Sequence, residues 1–205
     1  MKLKEWNMSG EKETTIGIWN GKPIEWLILD EKENEALLVS KHVIDCGHYH
    51  DGYDTVTWET CSLRKWLNTH FLEAAFTEEE RARILETELR NDDNPINGKT
   101  GGNNTRDKVF LLSLEEAKRY FPNNEARRCK PTAYAAANGT YVGALFGTCY
   151  WWLRSPGGDG YGAACVLFGG GVDTYGVDVN SGSIGVRPAM WMRKEGNNDR
   201  EKEVD

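Results

Sequence analysis

The sequence contains no glutamine, and it has no run of about 18 apolar residues that could form a transmembrane helix. The first residues carry charge but no apolar core segment, so they do not indicate a signal peptide. The five cysteines are scattered and form no C-x-x-C pair, which argues against a zinc knuckle or a redox dithiol. These absences predict a cytoplasmic protein with reduced, buried thiols and no membrane insertion. Export by a route without a signal peptide stays open.

Positive charge is also scarce. Lysine and arginine number 25 against 32 aspartates and glutamates, which gives a formal net charge of −7. A net negative chain has no general attraction to phosphate backbones or anionic lipids, so we expect no nucleic-acid or membrane partner. The one candidate basic patch is the short run Arg127, Arg128 and Lys130, and a solvated turn is its simpler interpretation.

No catalytic or metal-binding motif stands out. His48 and His50 stand beside Asp51, but histidines two apart share a face only in an extended segment, and no second half-site follows. A polar loop is the simpler interpretation of this cluster. Ser155 lacks the G-x-S-x-G elbow, and glycines 169–171 precede no helix that could bind phosphate. We therefore predict no catalytic set, no metal site and no cofactor.

After strand-like patterns in the first forty residues, helices are expected in the first half of the chain and a meander of short strands in the second. Helical patterns and capping signals cover residues 60–72, 77–85, 113–120 and 131–139. Strand patterns cover residues 24–30, 36–40, 109–112, 150–153 and 186–192. Residues 91–106 indicate a long polar loop. The order predicts an α+β fold with a single domain over 1–193 and a disordered charged tail over 194–205.

The segment 157–186, called the window below, has an unusual composition. It is rich in glycine and contains no lysine, glutamate, methionine or tryptophan. Glycine-rich hairpin loops exclude long charged side chains, which is one explanation. The alternative concerns codons: glutamine and these four types lack any codon ending in C, whereas every type present has one. That pattern is expected when Asn codons ending in C are randomised at their adenines. Tyrosine with small polar residues also suits binding loops.

Five long blocks of the chain resemble one uncharacterised bacterial domain family. The blocks are residues 57–68, 98–113, 126–134, 151–157 and 185–189. Some members of that family are similar to the variable proteins of diversity-generating retroelements. The resemblance implies a C-type-lectin-like fold, related to that of the formylglycine-generating enzymes, with small antiparallel sheets and two to four short helices. It also implies hypervariable side chains displayed on a fixed scaffold. The tripeptides of calcium-dependent sugar sites are absent from the chain.

The same resemblance divides the window into scaffold and variable positions. The implied variable, ligand-binding positions are Asp159, Tyr161, Cys165, Leu167, Phe168, Asp173, Thr174, Tyr175, Asp178, Asn180, Ser181, Ser183 and Ile184. The implied scaffold positions are Ala163, Ala164, Val166, Gly170, Val172, Gly176, Val179 and Gly185. Around them, we expect Trp151, Trp152 and Trp191 to form or support the core. We expect Arg154 and Arg187, at the ends of the window, to fix it by hydrogen bonds to its loop carbonyls.

These features favour a ligand-binding display protein whose surface at about 158–184 recognises an unidentified protein or other macromolecule. Diversification of this surface by a retroelement is part of the same hypothesis. The alternative is an enzyme on a formylglycine-generating-enzyme-like fold that uses Cys149 and Cys165, or the His48–His50 pair, in a concave site with activated thiols. A domain that only positions an attached protein is a third interpretation.

Overall fold

The structure is a computed structural model that describes residues 12–194. Its fold is α+β with small antiparallel sheets, as the sequence predicts. The strands are β1 (Glu13–Trp19), β2 (Lys22–Glu31), β3 (Glu35–Ser40), β4 (Asp45–Cys46), β5 (Thr87–Leu89), β6 (Thr105–Asp107), β7 (Val142–Gly143), β8 (Thr148–Cys149), β9 (Trp151–Pro156), β10 (Gly162–Val166), β11 (Val172–Asp178), β12 (Gly185–Val186) and β13 (Ala189–Arg193). Of the expected disordered tail over 194–205, residues 195–205 lie outside the described residues. Lys194 contacts the β2–β3 turn, because its backbone N–H donates to Asn34 O at 2.9 Å.

The described residues contain five helical segments, one more than the upper limit expected from the resemblance. The first runs through α1 (Ser62–Trp66), a π-helical turn (Leu67–Phe71) and α2 (Leu72–Ala75). The others are α3 (Glu78–Arg83), α4 (Leu114–Tyr120), α5 (Asn124–Arg127) and α6 (Ala133–Ala137). The capping boxes at Thr77 and Ser113 form at α3 and α4 as predicted. None of the helices within residues 12–194 is long and apolar enough to cross a membrane.

The first sheet joins the beginning and the end of the described chain, in the order β1-β2-β3-β13. Asn20 and Gly21 close the β1–β2 hairpin, both with positive φ, which is the geometry that a tight two-residue turn requires. β13 pairs antiparallel with β3, so that Met190 lies opposite Leu38. Because these strands meet, the chain after the window returns to the sheet from which it started.

The second sheet contains the three strands of the window, β10, β11 and β12, and has the order β11-β10-β9-β12-β4. β10 lies between β9 and β11, and all five of its residues are buried. β11 is an edge strand, and its residues are half-buried or exposed. The two sheets share one core that includes the fully buried Trp26, Trp58, Trp151 and Trp152. The window is therefore an integral part of the fold at its buried strands and reaches solvent at its edge and turns.

Candidate functional site

The window presents its side chains in three groups according to burial. The exposed positions are Asp159, Tyr161, Tyr175, Asp178 and Asn180. The half-buried positions are Leu167, Phe168, Asp173, Thr174, Ser181 and Ser183. The buried positions are Cys165 and Ile184.

The assignment of Cys165 and Ile184 to the ligand-binding set is wrong. Cys165 lies on the central strand β10, opposite Trp152 on one side and Asp173 on the other, and has no exposed surface. Ile184 is 4% exposed, and its carbonyl accepts a hydrogen bond from Gly47 N at 3.1 Å. Both side chains fill the core, so neither can contact a ligand.

Two tyrosines stack on the surface at the start of the β10–β11 hairpin. The rings of Tyr53 and Tyr161 have centroids 4.9 Å apart and an interplanar angle of 24°. They are 56% and 41% exposed. Asp159 Oδ1 accepts a hydrogen bond from Tyr161 N at 2.9 Å and so holds the turn that carries this tyrosine. No pattern in the sequence places Tyr53, which lies more than a hundred residues earlier in the chain, beside the window.

A second aromatic group lies at the opposite end of the hairpin. Phe168 packs against Tyr150 at 5.7 Å and Tyr141 at 6.2 Å between ring centroids. The neighbouring β7–β8 hairpin exposes Val142 and Leu145, the latter at 77%. Leu167 and Phe168, both assigned above to the ligand-binding set, are half-buried, and the exposed side chains of the adjacent β7–β8 hairpin extend the apolar surface beside them.

The outer edge of β11 is not free to pair with another strand. Asp173 Oδ1 accepts hydrogen bonds from Tyr175 N and Gly176 N, each at 3.0 Å. The carbonyl of Thr174 accepts one from Asn94 Nδ2 at 2.8 Å. Occupied backbone groups blunt an edge strand. A ligand at this edge would therefore contact side chains, such as the 67% exposed Tyr175, and would not extend the sheet.

A buried asparagine from the long polar loop fixes the backbone of the window. Asn94 is 2% exposed, and its Nδ2 donates to the carbonyls of Pro156 at 3.1 Å, Gly157 at 2.9 Å and Thr174 at 2.8 Å. It thereby ties the end of β9 to the middle of β11. Sequence reasoning missed this residue, because nothing distinguishes it from the other asparagines of its polar loop.

The arginines that contact the window differ from those expected. Arg127, at 8% exposure, donates from Nε to Gly170 O at 2.8 Å, and Arg128 donates to Gly169 O at 3.2 Å. Gly170 has φ of +84°, and a Cβ there would overlap the carbonyl oxygen of Asn124, so only glycine fits. The interpretation of the 127–130 run as a solvated turn is wrong, because these guanidinium groups hold the β10–β11 turn.

Arg154 and Arg187 do not donate to the window's loops. Arg154 forms a bidentate pair with Glu116 and donates to Leu111 O at 2.9 Å. Arg187 donates from Nε to Ser40 O at 3.0 Å and lies 4.7 to 4.8 Å from the ring centroids of Phe121 and Trp151. Both arginines hold the core together below the window. The prediction that these two arginines donate to the window's loop carbonyls is wrong. The side chain of Arg154 points toward α4, and that of Arg187 points toward the first sheet.

The three tryptophans expected to support the core differ in burial. Trp151 and Trp152 are fully buried, and they donate their indole N–H groups to Arg127 O at 3.1 Å and Gly47 O at 2.9 Å. Trp191 is half-buried on β13, where Lys32 Nζ lies 4.3 Å from its ring centroid. Trp151 and Trp152 thus lie in the core on β9, directly beside the window's strand β10, while Trp191 packs on the first sheet.

The His48–His50 segment is held in the fold by ordinary hydrogen bonds. His50 Nδ1 accepts one from Ser62 N at 3.3 Å, at the start of α1. His50 and Asp51 line a cavity of about 710 Å³. Its lining contains as many arginine and lysine side chains as aspartate and glutamate side chains, so their formal charges cancel. Within residues 12–194, no three histidine, cysteine, aspartate or glutamate side chains are arranged to hold a metal ion.

The thiols of the alternative enzyme hypothesis do not form a pair. Cys149 lies opposite Cys129 in an isolated antiparallel bridge, and its backbone N–H donates to Cys129 O at 2.9 Å. Cys165 instead lies between Trp152 and Asp173. Burial raises the pKa of Cys149, and burial followed by the charge of Asp173 raises the pKa of Cys165 to about 12. A reactive thiol needs the opposite shift.

These environments predict the order of thiol reactivity. With 5,5′-dithiobis(2-nitrobenzoate) at pH 8, we expect only Cys46, the one half-exposed cysteine, to react rapidly in the folded protein. The other four should react only after denaturation, because the reagent cannot reach them and their thiolates are rare. The Cys46→Ser variant should then show no rapid phase. Rapid labelling of Cys149 or Cys165, identified by peptide mapping, would contradict this expectation and revive the enzyme hypothesis.

Comparison with known sequences assigns most of the chain to one family. Residues 33–194 match the profile of a family described as "Domain of unknown function (DUF6273)". The chain belongs to this family. No curated protein and no solved structure matches it significantly. The DUF6273 region begins within the β2–β3 turn, ends just after β13, and includes the entire window with Asn94, Arg127 and the two aromatic groups.

Proposed function

We propose that this DUF6273 chain is a ligand-binding display protein that recognises another protein through the surface formed by the window and its neighbouring aromatic side chains. The observation that carries the proposal is the concentration of exposed or half-buried aromatic side chains along one hairpin. Tyr161 and Phe168 lie at its two ends, and Tyr175 lies on the edge strand between them. Tyrosines provide large, rigid contact area at low entropic cost.

The size of this surface suits a protein ligand better than a small molecule. β10 and its flanking residues separate Tyr161 from Phe168 by roughly 20 Å at the usual rise of a strand. Tyr53, Tyr141 and Leu145 extend the exposed apolar area on both sides. Exposed apolar groups rimmed by polar residues mark interaction sites, and aromatic side chains dominate the energetics of such sites.

The rigid support below the surface favours binding without reorganisation. Asn94, Arg127 and Arg128 together bind five backbone carbonyls of the window or its border. A loop held in its bound conformation loses less entropy when a partner docks. Side chains at the display positions can then vary while buried hydrogen bonds to backbone atoms keep the geometry.

We further propose a C-type-lectin-like fold and diversification of the window's codons by a retroelement. The resemblance of the five sequence blocks and the return of β13 to the first sheet support the fold assignment. Sequencing of the native locus tests diversification. A nearby near-identical repeat that differs only at adenines, beside a reverse transcriptase gene, would establish it. The absence of such a repeat would make this copy a fixed binder.

The alternative enzyme has weaker support. Its two cysteines lie on different pairs of strands, and both have raised pKa values. The polar cavity next to His50 is lined by Cys61, whose pKa burial raises to about 12. These thiols therefore lack the electropositive, accessible surroundings that thiol chemistry uses.

The binding proposal is tested by selection of peptides on the immobilised chain from a random phage-displayed library. We expect the selected peptides to bind Tyr175→Ala at least about tenfold more weakly than the wild type, as for an interface hot spot. The variant's free energy of unfolding should change by less than about 0.5 kcal/mol, because the side chain is exposed.

The matched control is Tyr134→Ala, on α6. Tyr134 is also an exposed tyrosine, but it lies outside the proposed surface, at a cavity beside His42. The Tyr134→Ala substitution should leave both peptide binding and the free energy of unfolding unchanged. Peptides that lose affinity for Tyr134→Ala and keep it for Tyr175→Ala would place the binding surface elsewhere and contradict the proposal.

A further inference from the structure

The stacked Tyr53–Tyr161 pair has a chemical environment that identifies one kind of contact. Acidic side chains adjoin both rings: Asp159 precedes Tyr161 in the same turn, and Asp178 follows on β11, opposite Gly162. Both carboxylates are exposed. The charge of Asp178, then partial desolvation, then Asp159 raise the pKa of Tyr53, which reports the negative field at its hydroxyl.

Positive charge is almost absent from this part of the surface. The window contains three aspartates and no lysine, arginine or histidine. Lys99 brings one cation close to this turn, since its Nζ would lie 3.2 Å from a Cβ at Gly160. The field at Tyr53 is nevertheless negative, because the charges of Asp178 and Asp159 raise the pKa of its hydroxyl.

Elsewhere the chain's own cations already occupy aromatic faces. Arg128 lies 3.6 Å from the ring centroid of Phe146, and Lys32 lies 4.3 Å from that of Trp191. Among residues 12–194, no cation–π contact involves Tyr53 or Tyr161. An exposed aromatic face beside carboxylates attracts a cation by the ring quadrupole and by ordinary Coulomb attraction together.

We propose that the Tyr53–Tyr161 pair, with Asp159 and Asp178, binds an arginine or lysine side chain of the protein partner. This inference rests on the proposed display function and names the chemistry of its partner. A guanidinium plane stacks on a tyrosine face and can donate hydrogen bonds to an adjacent carboxylate at the same time. An acidic partner would repel both carboxylates, and a purely apolar partner would remove their water without supplying a hydrogen-bond donor.

The test uses the peptides from the phage library that lose affinity for Tyr175→Ala. They should be enriched in arginine and lysine relative to the unselected library. The tightest arginine-containing peptide is then synthesised with arginine and with its neutral analogue citrulline. We expect the citrulline peptide to bind the wild type about tenfold more weakly. Because the tyrosine rings still attract a cation after the carboxylates are neutralised, the arginine-to-citrulline difference should shrink to about two- to threefold in the double variant Asp159→Asn/Asp178→Asn.

The substitutions separate charge from loop geometry. Asparagine at position 159 keeps an oxygen that can accept the hydrogen bond from Tyr161 N, so the turn persists without its charge. Glu78→Gln/Glu79→Gln on α3 is the control, because it removes two exposed carboxylates away from the window. That control should keep the full arginine-to-citrulline difference.

Four results would overturn the inference. Peptides that map to the window without cationic enrichment, or that tolerate citrulline, would refute it while the proposed display function stands. An equal loss in the α3 control would assign the effect to net charge alone. Failure of every selected peptide to respond to Tyr175→Ala would remove the display function and this inference together.

Discussion

Asn94→Ala is expected to lower the free energy of unfolding by about 3 kcal/mol. The substitution leaves the carbonyls of Pro156, Gly157 and Thr174 without their shared donor, in a site where the wild-type side chain is 2% exposed. Each buried acceptor without a partner costs free energy because water cannot replace the lost bond. Urea denaturation followed by tryptophan fluorescence measures the change.

Two further variants assign the loss to the hydrogen bonds. Asn97→Ala removes a neighbouring asparagine that is exposed and donates one bond, to Gly158 O at 2.6 Å, so water can replace it. We expect a loss of less than about 0.5 kcal/mol there. Asn94→Asp keeps the side-chain size but turns a donor into an acceptor facing carbonyls, and should destabilise at least as much as alanine. A stable Asn94→Asp protein would refute the role of Asn94 as a donor.

Glu116→Gln is expected to cost about 3 kcal/mol, the lower end of the range for breaking a buried ion pair, because the carboxylate retains some exposure. The change leaves the Arg154 guanidinium, which is 4% exposed, without its counter-charge. The remaining acceptors, Leu111 O and Arg90 O, are neutral. Chemical denaturation at pH 7 gives the magnitude. Glu115→Gln, one residue earlier and exposed, should cost only a few tenths of a kcal/mol.

The same pair predicts an acid-dependent loss of stability. Burial raises the pKa of Glu116, but hydrogen bonds and the charge of Arg154, with help from Ser113, outweigh it and hold the pKa below 4.5. A carboxyl with a lowered native pKa stabilises the fold above its unfolded pKa, and that contribution disappears as the pH falls through the native pKa. The free energy of unfolding should therefore decrease below about pH 4.5 in the wild type, and it should decrease less in Glu116→Gln. Identical acid dependence in both proteins would contradict the assignment.

Local patterns predicted helices and strands accurately wherever the interactions that form them join residues close together in the sequence. The capping boxes at Thr77 and Ser113 involve residues three apart, and both form as expected. The apolar helical face within 60–72 and the strand patterns at 24–30, 36–40 and 150–153 correspond to real elements, although the π-helical turn at 67–71 was not expected. α5 was missed, since four residues are too few for a periodic signal.

Errors arose where contacts between distant segments decide the outcome. Composition marked Cys165 and Ile184 like their exposed neighbours, but the pairing of β10 with two strands buries Cys165, and Ile184 lies within the common hydrophobic core. Arg127 carries a charge that favours solvent, yet its guanidinium is buried against Gly170 and Phe121 carbonyls. Burial of a donor depends on which carbonyls the fold places within reach.

The sequence by itself determined the α+β class, most local elements and the unusual character of the window, because periodicity, capping and composition act through near neighbours. Only the tertiary structure decided which window side chains reach solvent, which residues fix them and which aromatics join them. Tyr53 stacks on Tyr161, and Asn94 donates a hydrogen bond to Thr174 O. Both contacts join segments that lie about 80 residues or more apart in the sequence. No local pattern encodes such contacts, since they depend on how sheets and loops pack around one core.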